Sequence, residues 1–151
     1  MQMKDIFKGK VVVVGVGNIL RRDDGFGPVL IDKLKANTSV VCIDAGSSLE
    51  GYAGKIAKEK PDTILIADAV HLGLEPGNYD ILKSSEIVKG GLTTHDISPR
   101  MFLDYLKKET GADIYMLGIQ PEDVSFGEGL SESVKGALEE IVGLIREAEH
   151  A

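Results

Sequence analysis

The segment at residues 11–28, VVVVGVGNILRRDDGFGP, constrains the fold of this chain more than any other. Four consecutive β-branched valines favour a strand that is buried on both faces. Two glycines then allow a sharp turn at the strand end. Beyond the turn, apolar residues recur at spacings of three and four, as they do in a helix. The segment therefore predicts a strand over 11–16 and a helix over 24–36, with Asp23 and Asp24 at the mouth of the helix.

A strand, a glycine-rich loop and a helix also suggest a nucleotide-binding site. The dinucleotide fingerprint is G-x-G-x-x-G, and here Leu20 stands in place of the third glycine. Asp44, at the end of the next predicted strand, suits a ribose-binding carboxylate. Asp23 and Asp24, however, place negative charge where a pyrophosphate would bind. Capping of the helix explains one of these aspartates and leaves the other for chemistry. A nucleotide-binding Rossmann-like module therefore stays as an alternative.

The rest of the chain alternates between strand and helix patterns. This alternation is typical of a mostly parallel sheet covered by helices on both faces. We therefore predict an α/β fold: a three-layer α/β/α sandwich with a twisted sheet of about five strands, in a single domain over 1–151. The further predicted strands are 40–43, 63–67, 79–82 (an antiparallel edge strand) and 113–117. The further predicted helices are 48–58, started by a Ser47–Glu50 capping box, 99–109, and one that begins at Ser131. Residues 71–78, 89–98 and 118–130 are predicted loops.

Composition restricts the classes of partner. The net charge of −7 argues against general affinity for nucleic acid. Cys42 is the only cysteine, so an internal disulfide and a cysteine-rich zinc site are both impossible. No apolar run reaches the length of a signal peptide or a membrane span. We therefore expect a cytoplasmic protein without membrane insertion, and its oligomeric state stays open.

Five side chains with metal-binding or acid–base chemistry fall on or directly beside predicted loops. Parallel strands deliver Asp24, Asp44 and Asp68 to one edge of the sheet, where ligands bind in such folds. His95 precedes a helix without any apolar periodicity around it, and His71 lies in another loop. Together, Asp24, Asp68 and His95 suit a divalent metal held by nitrogen and oxygen ligands. A non-catalytic metal-binding or protein-binding domain is a second alternative. A serine nucleophile is disfavoured, because no G-x-S-x-G motif is present.

The ordered motifs resemble those of the hydrogenase maturation endopeptidases. The opening motif, GVGNILRRDDGFG, is long and specific, and the shorter motifs follow in the same order along nearly the whole chain. They are DAGS at 44–47, IADAV at 66–70, PG at 76–77, TTH at 93–95, GIQP at 118–121 and GLS at 129–131. The Thr-Thr-His form is similar to the branch that serves formate-hydrogenlyase-type hydrogenases. Ala45 departs from the family pattern, in which glycine often follows the strand-ending aspartate.

The resemblance implies a peptide-bond hydrolase that removes the C-terminal peptide from the large-subunit precursor of a [NiFe]-hydrogenase. It implies that nickel arrives bound to the precursor, so that no permanently bound metal is expected. The nickel-contacting and catalytic positions fall on Asp24, Asp68 and His95, with Asp23 and Asp44 as possible substrate or supporting residues. Two roles for nickel stay open. It acts as a Lewis acid, or it serves recognition while a carboxylate acts as general base.

Overall fold

Five strands form one sheet in the computed structural model, which describes residues 1–90 and 99–151 and no side chains for residues 88–90 and 99. The sheet order is β2-β1-β3-β5-β4; every pair is parallel except β4 with β5. This arrangement confirms the predicted fold, including the antiparallel edge strand. The strands are Val11–Val16 (β1), Val41–Gly46 (β2), Thr63–Ala69 (β3), Tyr79–Lys83 (β4) and Asp113–Ile119 (β5).

Helices cover both faces of this sheet. Helices α1, α2 and α6 pack on one face, and α3, α4 and α5 pack on the other. The α-helices are Met3–Ile6 (α1), Phe26–Leu34 (α2), Ala53–Lys58 (α3), Ser84–Gly90 (α4), Pro99–Thr110 (α5) and Glu132–Glu149 (α6). Two short 3-10 helices, Arg22–Gly25 and Leu49–Tyr52, precede α2 and α3. No helix of residues 1–90 or 99–151 has the length and apolarity needed to cross a bilayer.

The valine-rich strand β1 supplies both hydrophobic cores, because successive side chains point to opposite faces of the sheet. All six residues of β1 are buried. Val11 and Val13 join the core under α2 and α6, while Val12 and Val14 join the core under α3 and α5. Full burial of each valine side chain contributes about 1.5–3 kcal/mol. The predicted apolar stripe of the last helix is confirmed, since Val134, Leu138, Ile141, Ile145 and Ala148 are all buried.

Two predicted helix starts are wrong. The helix predicted over 24–36 begins as a 3-10 helix, and the N-cap of α2 is Gly25 without a side-chain cap. Neither aspartate therefore caps α2, because the 3-10 turn places both before its N-cap. The predicted Ser47–Glu50 capping box is also wrong. Ser48 is the N-cap of the 3-10 helix Leu49–Tyr52, and it has no side-chain cap bond.

Other differences concern element length. Strands β2, β3 and β5 each extend at least two residues beyond their predicted ends, so that Asp68 lies within β3. Residues 89 and 90 belong to α4 and not to the loop predicted over 89–98. The rest of that loop, 91–98, lies outside the described residues.

The strand order creates a crevice at one edge of the sheet. From β1 the chain passes to β2 on one side and then to β3 on the other. The connections diverge between β1 and β3, and ligands of open α/β sheets bind at such a divergence, beyond the carboxyl ends of the strands. Helix α2 lies unusually close to these ends: a Cβ atom on Gly27 would sit 2.4 Å from the Val16 nitrogen and 2.6 Å from the Ala67 oxygen. The 3-10 helix before α2 is therefore held at the crevice.

Candidate active site

Asp24 is presented at the crevice by the 3-10 helix Arg22–Gly25. The backbone N–H of Asn18 donates a 3.0 Å hydrogen bond to Asp24 Oδ2. Gly17 makes this approach possible: its φ is +145°, and a Cβ atom there would lie 1.8 Å from the Asp24 carbonyl oxygen. A nucleotide site would use such loop N–H groups for phosphate. Here Asp24 occupies one of them, which disfavours the nucleotide-binding alternative.

Asp68 lies at the carboxyl end of β3, opposite Gly118 of β5, and the 3-10 helix of Asp24 contacts that strand. Burial and the nearby charge of Asp24 raise the pKa of the Asp68 carboxyl well above its usual value, against the opposing effect of a hydrogen bond from the Ala69 backbone. The structure therefore brings Asp24 and Asp68 close enough for their charges to interact. Such a pair favours the uptake of a proton or the approach of a cation.

The third predicted ligand, His95, belongs to residues 91–98, which lie outside the described part of the chain. Within the described ranges, no group of three or more His, Cys, Asp or Glu side chains is arranged to hold a metal ion. The pair formed by Asp24 and Asp68 is thus an incomplete set of ligands by itself. Carboxylate oxygens suit a divalent cation, but two of them leave most coordination positions to other donors.

Asp23 has the opposite environment, although it directly precedes Asp24. It is fully buried. Its Oδ2 accepts hydrogen bonds from the backbone N–H groups of Glu122 (2.9 Å) and Asp123 (3.1 Å) and from Ser131 Oγ (2.8 Å), while Oδ1 accepts one from the Ser131 N–H (2.8 Å). The Asp23 backbone N–H also donates to the Asp123 carbonyl at 3.0 Å. Asp23 therefore fixes the 3-10 helix to the loop that precedes α6.

Two further predicted residues lie at the same edge and bond locally. Asp44 is exposed, and its Oδ1 accepts a 2.9 Å hydrogen bond from the Gly46 N–H. The structure thus places the Asp44 carboxylate in the turn at the end of β2. His71 is also exposed, and its Nδ1 lies 3.4 Å from Gln120 Nε2. Gln120 Oε1 accepts hydrogen bonds from the N–H of Leu72 (2.6 Å) and of Leu74 (3.4 Å), so Gln120 organises the loop after Asp68.

The organising roles of Asp23, Ser131 and Gln120 are not evident from local sequence. Ser131 is the predicted N-cap of the last helix, and it does occupy that position, but its hydroxyl donates to Asp23 instead of capping α6. Asp23 and its partners are 99 to 108 residues apart in sequence. The only indication in the sequence is that Asp23 and Asp24 adjoin at a predicted helix start, where a single aspartate is enough for capping.

Comparison with known proteins gives one consistent family. The family model described as hydrogenase maturation protease matches residues 29–148. The Hydrogenase 3 maturation protease of Escherichia coli K12 is 35% identical over 133 residues, which cover 86% of this chain and 85% of that protein. A crystal structure of a [NiFe] hydrogenase maturation protease from Thermococcus kodakarensis KOD1 superposes with a TM-score of 0.87 at 35% identity, covering 99% of both chains.

A solution structure extends the same likeness to an enzyme described as an endopeptidase. This Escherichia coli protein superposes with a TM-score of 0.79 at 33% identity, covering 91% of this chain and 90% of that chain. The likeness therefore extends over nearly the whole chain.

Proposed function

This chain belongs to the hydrogenase maturation proteases, and we propose that it removes the C-terminal peptide from a nickel-loaded large-subunit precursor of a [NiFe]-hydrogenase. Its relatives are named as proteases and endopeptidases of hydrogenase maturation, and one matched structure is of a [NiFe] hydrogenase maturation protease. The likeness to a Hydrogenase 3 maturation protease supports a precursor of that type. We place the reaction in the cytoplasm, which the single cysteine favours.

The observation that carries this proposal is the meeting of Asp24 and Asp68 at the crevice between β1 and β3. Two carboxylates whose charges repel each other gain stability when a divalent cation arrives between them. In the proposed complex, that cation is nickel already bound to the precursor, and the motif match adds His95 as a third contact. A weak partial site on the enzyme combines with the precursor's own ligands, so that a loaded precursor binds better than an empty one.

The same pair of carboxylates supports hydrolysis of the peptide bond. A carboxylate of the pair accepts a proton from a water molecule as the water oxygen attacks the scissile carbonyl carbon. The carbon–nitrogen bond then breaks, and the proton passes to the leaving amine. The raised pKa of Asp68 suits a group that holds a proton during part of this cycle. We therefore assign nickel to recognition and positioning, and the proton transfer to the carboxylates.

Three site variants test these assignments on a purified, nickel-loaded precursor. Asp24→Asn, Asp68→Asn and His95→Ala are each expected to lower the processing rate by about 100-fold or more, because each removes either a carboxylate that transfers a proton or a contact that positions the nickel-loaded precursor. The matched control is Asp32→Asn, which removes the same charge from an exposed position on α2 and is expected to process normally. Mass spectrometry of the precursor measures the peptide released.

Each variant also has a distinct negative outcome. Normal processing by His95→Ala, in protein with an unchanged melting temperature, would remove His95 from the mechanism. Normal processing by both aspartate variants would contradict the proposed site. Equal loss in the Asp32→Asn control would show that the assay reports surface charge and not the crevice.

A further inference from the structure

Three exposed apolar residues lie beside the crevice. Ile19, Leu20 and Phe126 expose 57%, 46% and 83% of their surface, although each is a large hydrophobic residue. We call these three residues the apolar rim. Grouped apolar side chains that remain in water mark a surface for protein contact more often than a packing accident.

Backbone hydrogen bonds join the two loops that carry the apolar rim. The Gly127 N–H donates to the Leu20 carbonyl at 2.8 Å, and the Arg22 N–H donates to the Gly127 carbonyl at 2.9 Å. These bonds form an isolated parallel bridge between Arg21 and Gly127. In a parallel pairing the residues that precede the bridge also lie side by side, so Phe126 runs alongside Leu20.

The loop that presents Phe126 is held firmly on both sides. Arg21 Nε donates a 3.0 Å hydrogen bond to the Val124 carbonyl, and the Ser125 N–H donates to Asp123 Oδ1 at 2.8 Å. Further along, Ser131 is bound to the buried Asp23 carboxylate. The exposure of Phe126 is therefore built into an ordered loop, and a partner that covers it need not order that loop first.

The apolar rim is continuous with the Asp24 carboxylate. Asn18 Oδ1 accepts a 2.9 Å hydrogen bond from the Leu20 N–H, while the Asn18 N–H donates to Asp24. A Cβ atom on Gly25 would lie 2.9 Å from the Ile19 Cα atom, so the residue after Asp24 packs directly against the rim loop. A polypeptide that reaches Asp24 from this side must pass over the rim.

From this continuity, and resting on the proposed function, we infer that the apolar rim binds the precursor segment next to the scissile bond through apolar side chains of that segment. A second copy of this chain is a poorer occupant for two reasons. It would cover Asp24, and both copies would carry the same net charge of −7. The rim thereby adds binding affinity through contacts away from the reacting centre, and these contacts are equal in the bound ground state and the transition state.

Steady-state kinetics on the nickel-loaded precursor test this inference. Phe126→Ser and Leu20→Ser are expected to raise KM about 10-fold with kcat nearly unchanged, because they remove binding that is equal in the ground and transition states. Phe126→Leu keeps an apolar side chain and is expected to retain most of the affinity. The matched control is Tyr105→Ser on α5, which alters a residue that is 44% exposed and outside the rim; its KM is expected to match that of the wild-type protein.

The possible outcomes separate this inference from the function on which it rests. If the wild-type protein processes the precursor and the rim variants keep the wild-type KM with unchanged melting temperatures, the rim inference is wrong and the proposed function survives. If the wild-type protein neither binds nor cleaves the precursor, both are wrong. Sedimentation that shows a wild-type dimer and a Phe126→Ser monomer would also overturn the inference, because it would assign the rim to a second copy.

Discussion

The 3-10 helix Arg22–Gly25 carries two adjacent carboxylates, Asp23 and Asp24, that lie in opposite environments. We call the Asp23 side of this helix the anchored side and the Asp24 side the open side. On the anchored side, Asp23 is fully buried and its two oxygens accept four hydrogen bonds from the loop before α6. On the open side, Asp24 is partly exposed, accepts one backbone hydrogen bond from Asn18, and interacts with the like charge of Asp68.

This difference indicates distinct roles for two neighbouring residues, stability of the fold for Asp23 and the proposed function for Asp24. A buried carboxylate with its lone pairs satisfied stabilises the fold, and breaking such a set is expensive. Asp68, whose pKa is raised by burial and by the nearby charge of Asp24, reduces stability at neutral pH, so its presence at a crevice indicates chemistry. The anchored side therefore holds the helix in place, and we propose that the open side meets the substrate.

The largest effect is expected from Gly17→Ala, which breaks the packing between the loop and Asp24. The added Cβ atom would lie 1.8 Å from the Asp24 carbonyl oxygen, and φ at this position is +145°. We expect a loss of about 3 kcal/mol, which lowers the melting temperature by roughly 6–12 °C in a chain of this size. Processing should fall as well, because Asp24 is displaced.

Gly46→Ala is the control for Gly17→Ala. Gly46 also has a positive φ, of +56°, but nothing lies within 4 Å of the added atom. Only the backbone strain of about 1–2 kcal/mol is expected. Equal losses from the two variants, measured by thermal unfolding, would show that crowding against Asp24 is not what requires glycine at position 17.

Asp23→Asn tests the anchored side. An amide cannot accept at both ends, so donors from the loop before α6 lose their partner. The expected loss is about 2–3 kcal/mol of unfolding free energy, measured by denaturant titration. Hydrogen exchange should rise at the N–H groups of Glu122, Asp123 and Ser131. Unchanged protection at these sites would contradict the anchoring role of Asp23.

Asp68→Asn should act in the opposite direction at neutral pH and raise the melting temperature by about 2–4 °C, as about 1 kcal/mol does in a chain of this size. The pKa of Asp68 is raised in the folded protein. Folded wild-type protein therefore holds this proton to a higher pH than unfolded protein, and its stability falls as pH rises. The advantage of the variant should vanish below about pH 4, near the unfolded aspartate pKa.

Melting temperatures of wild-type protein and Asp68→Asn, measured over a range of pH, test the direction of this effect. A stability advantage of the variant that increases above about pH 4 would confirm that the Asp68 carboxylate destabilises the fold. A variant that is less stable than wild type at neutral pH would show that the Asp68 carboxylate stabilises the fold, and the open side would lose its distinction from the anchored side.

The smallest effect is expected at the opposite edge of the sheet, where Glu149 joins α6 to the segment before β2. Burial acts to raise the pKa of Glu149, but hydrogen bonds from Thr38, Ser39 and Val40 outweigh it and lower the pKa. Glu149→Gln should therefore cost less than about 1 kcal/mol at neutral pH, less still below about pH 4, and should leave processing unchanged. Impaired processing by this variant would contradict the assignment of processing to the opposite edge of the sheet, where Asp24 and Asp68 lie.

Local sequence pattern was sufficient to predict the sheet. The valines of β1, the apolar stripe of α6 and the turn at Gly17 follow from rules that act over a few residues. The 3-10 start before α2 was missed because the spacing of apolar residues does not distinguish the first turn of an α-helix from a 3-10 turn. The short helices α1 and α4 were missed because few apolar residues repeat over so short a length.

The different roles of Asp23 and Asp24 could not be predicted from the sequence, for a different reason. The donors that bind Asp23 come from residues 122–131, about one hundred residues away, and nothing near Asp23 indicates them. The proximity of Asp24 to Asp68 was inferable only through the parallel sheet, which collects strand ends at one edge. His95 was selected from its predicted loop position and its motif, and its placement lies outside the described residues.

We propose that this endopeptidase acts only on a precursor that carries nickel. The most direct measurement incubates the wild-type protein with the large-subunit precursor, purified with and without nickel, and weighs the products by mass spectrometry. We expect one C-terminal peptide to be lost from the nickel-loaded precursor alone. Equal cleavage of both forms would contradict nickel recognition by Asp24, Asp68 and His95, and cleavage of neither form by folded protein would contradict the proposed substrate.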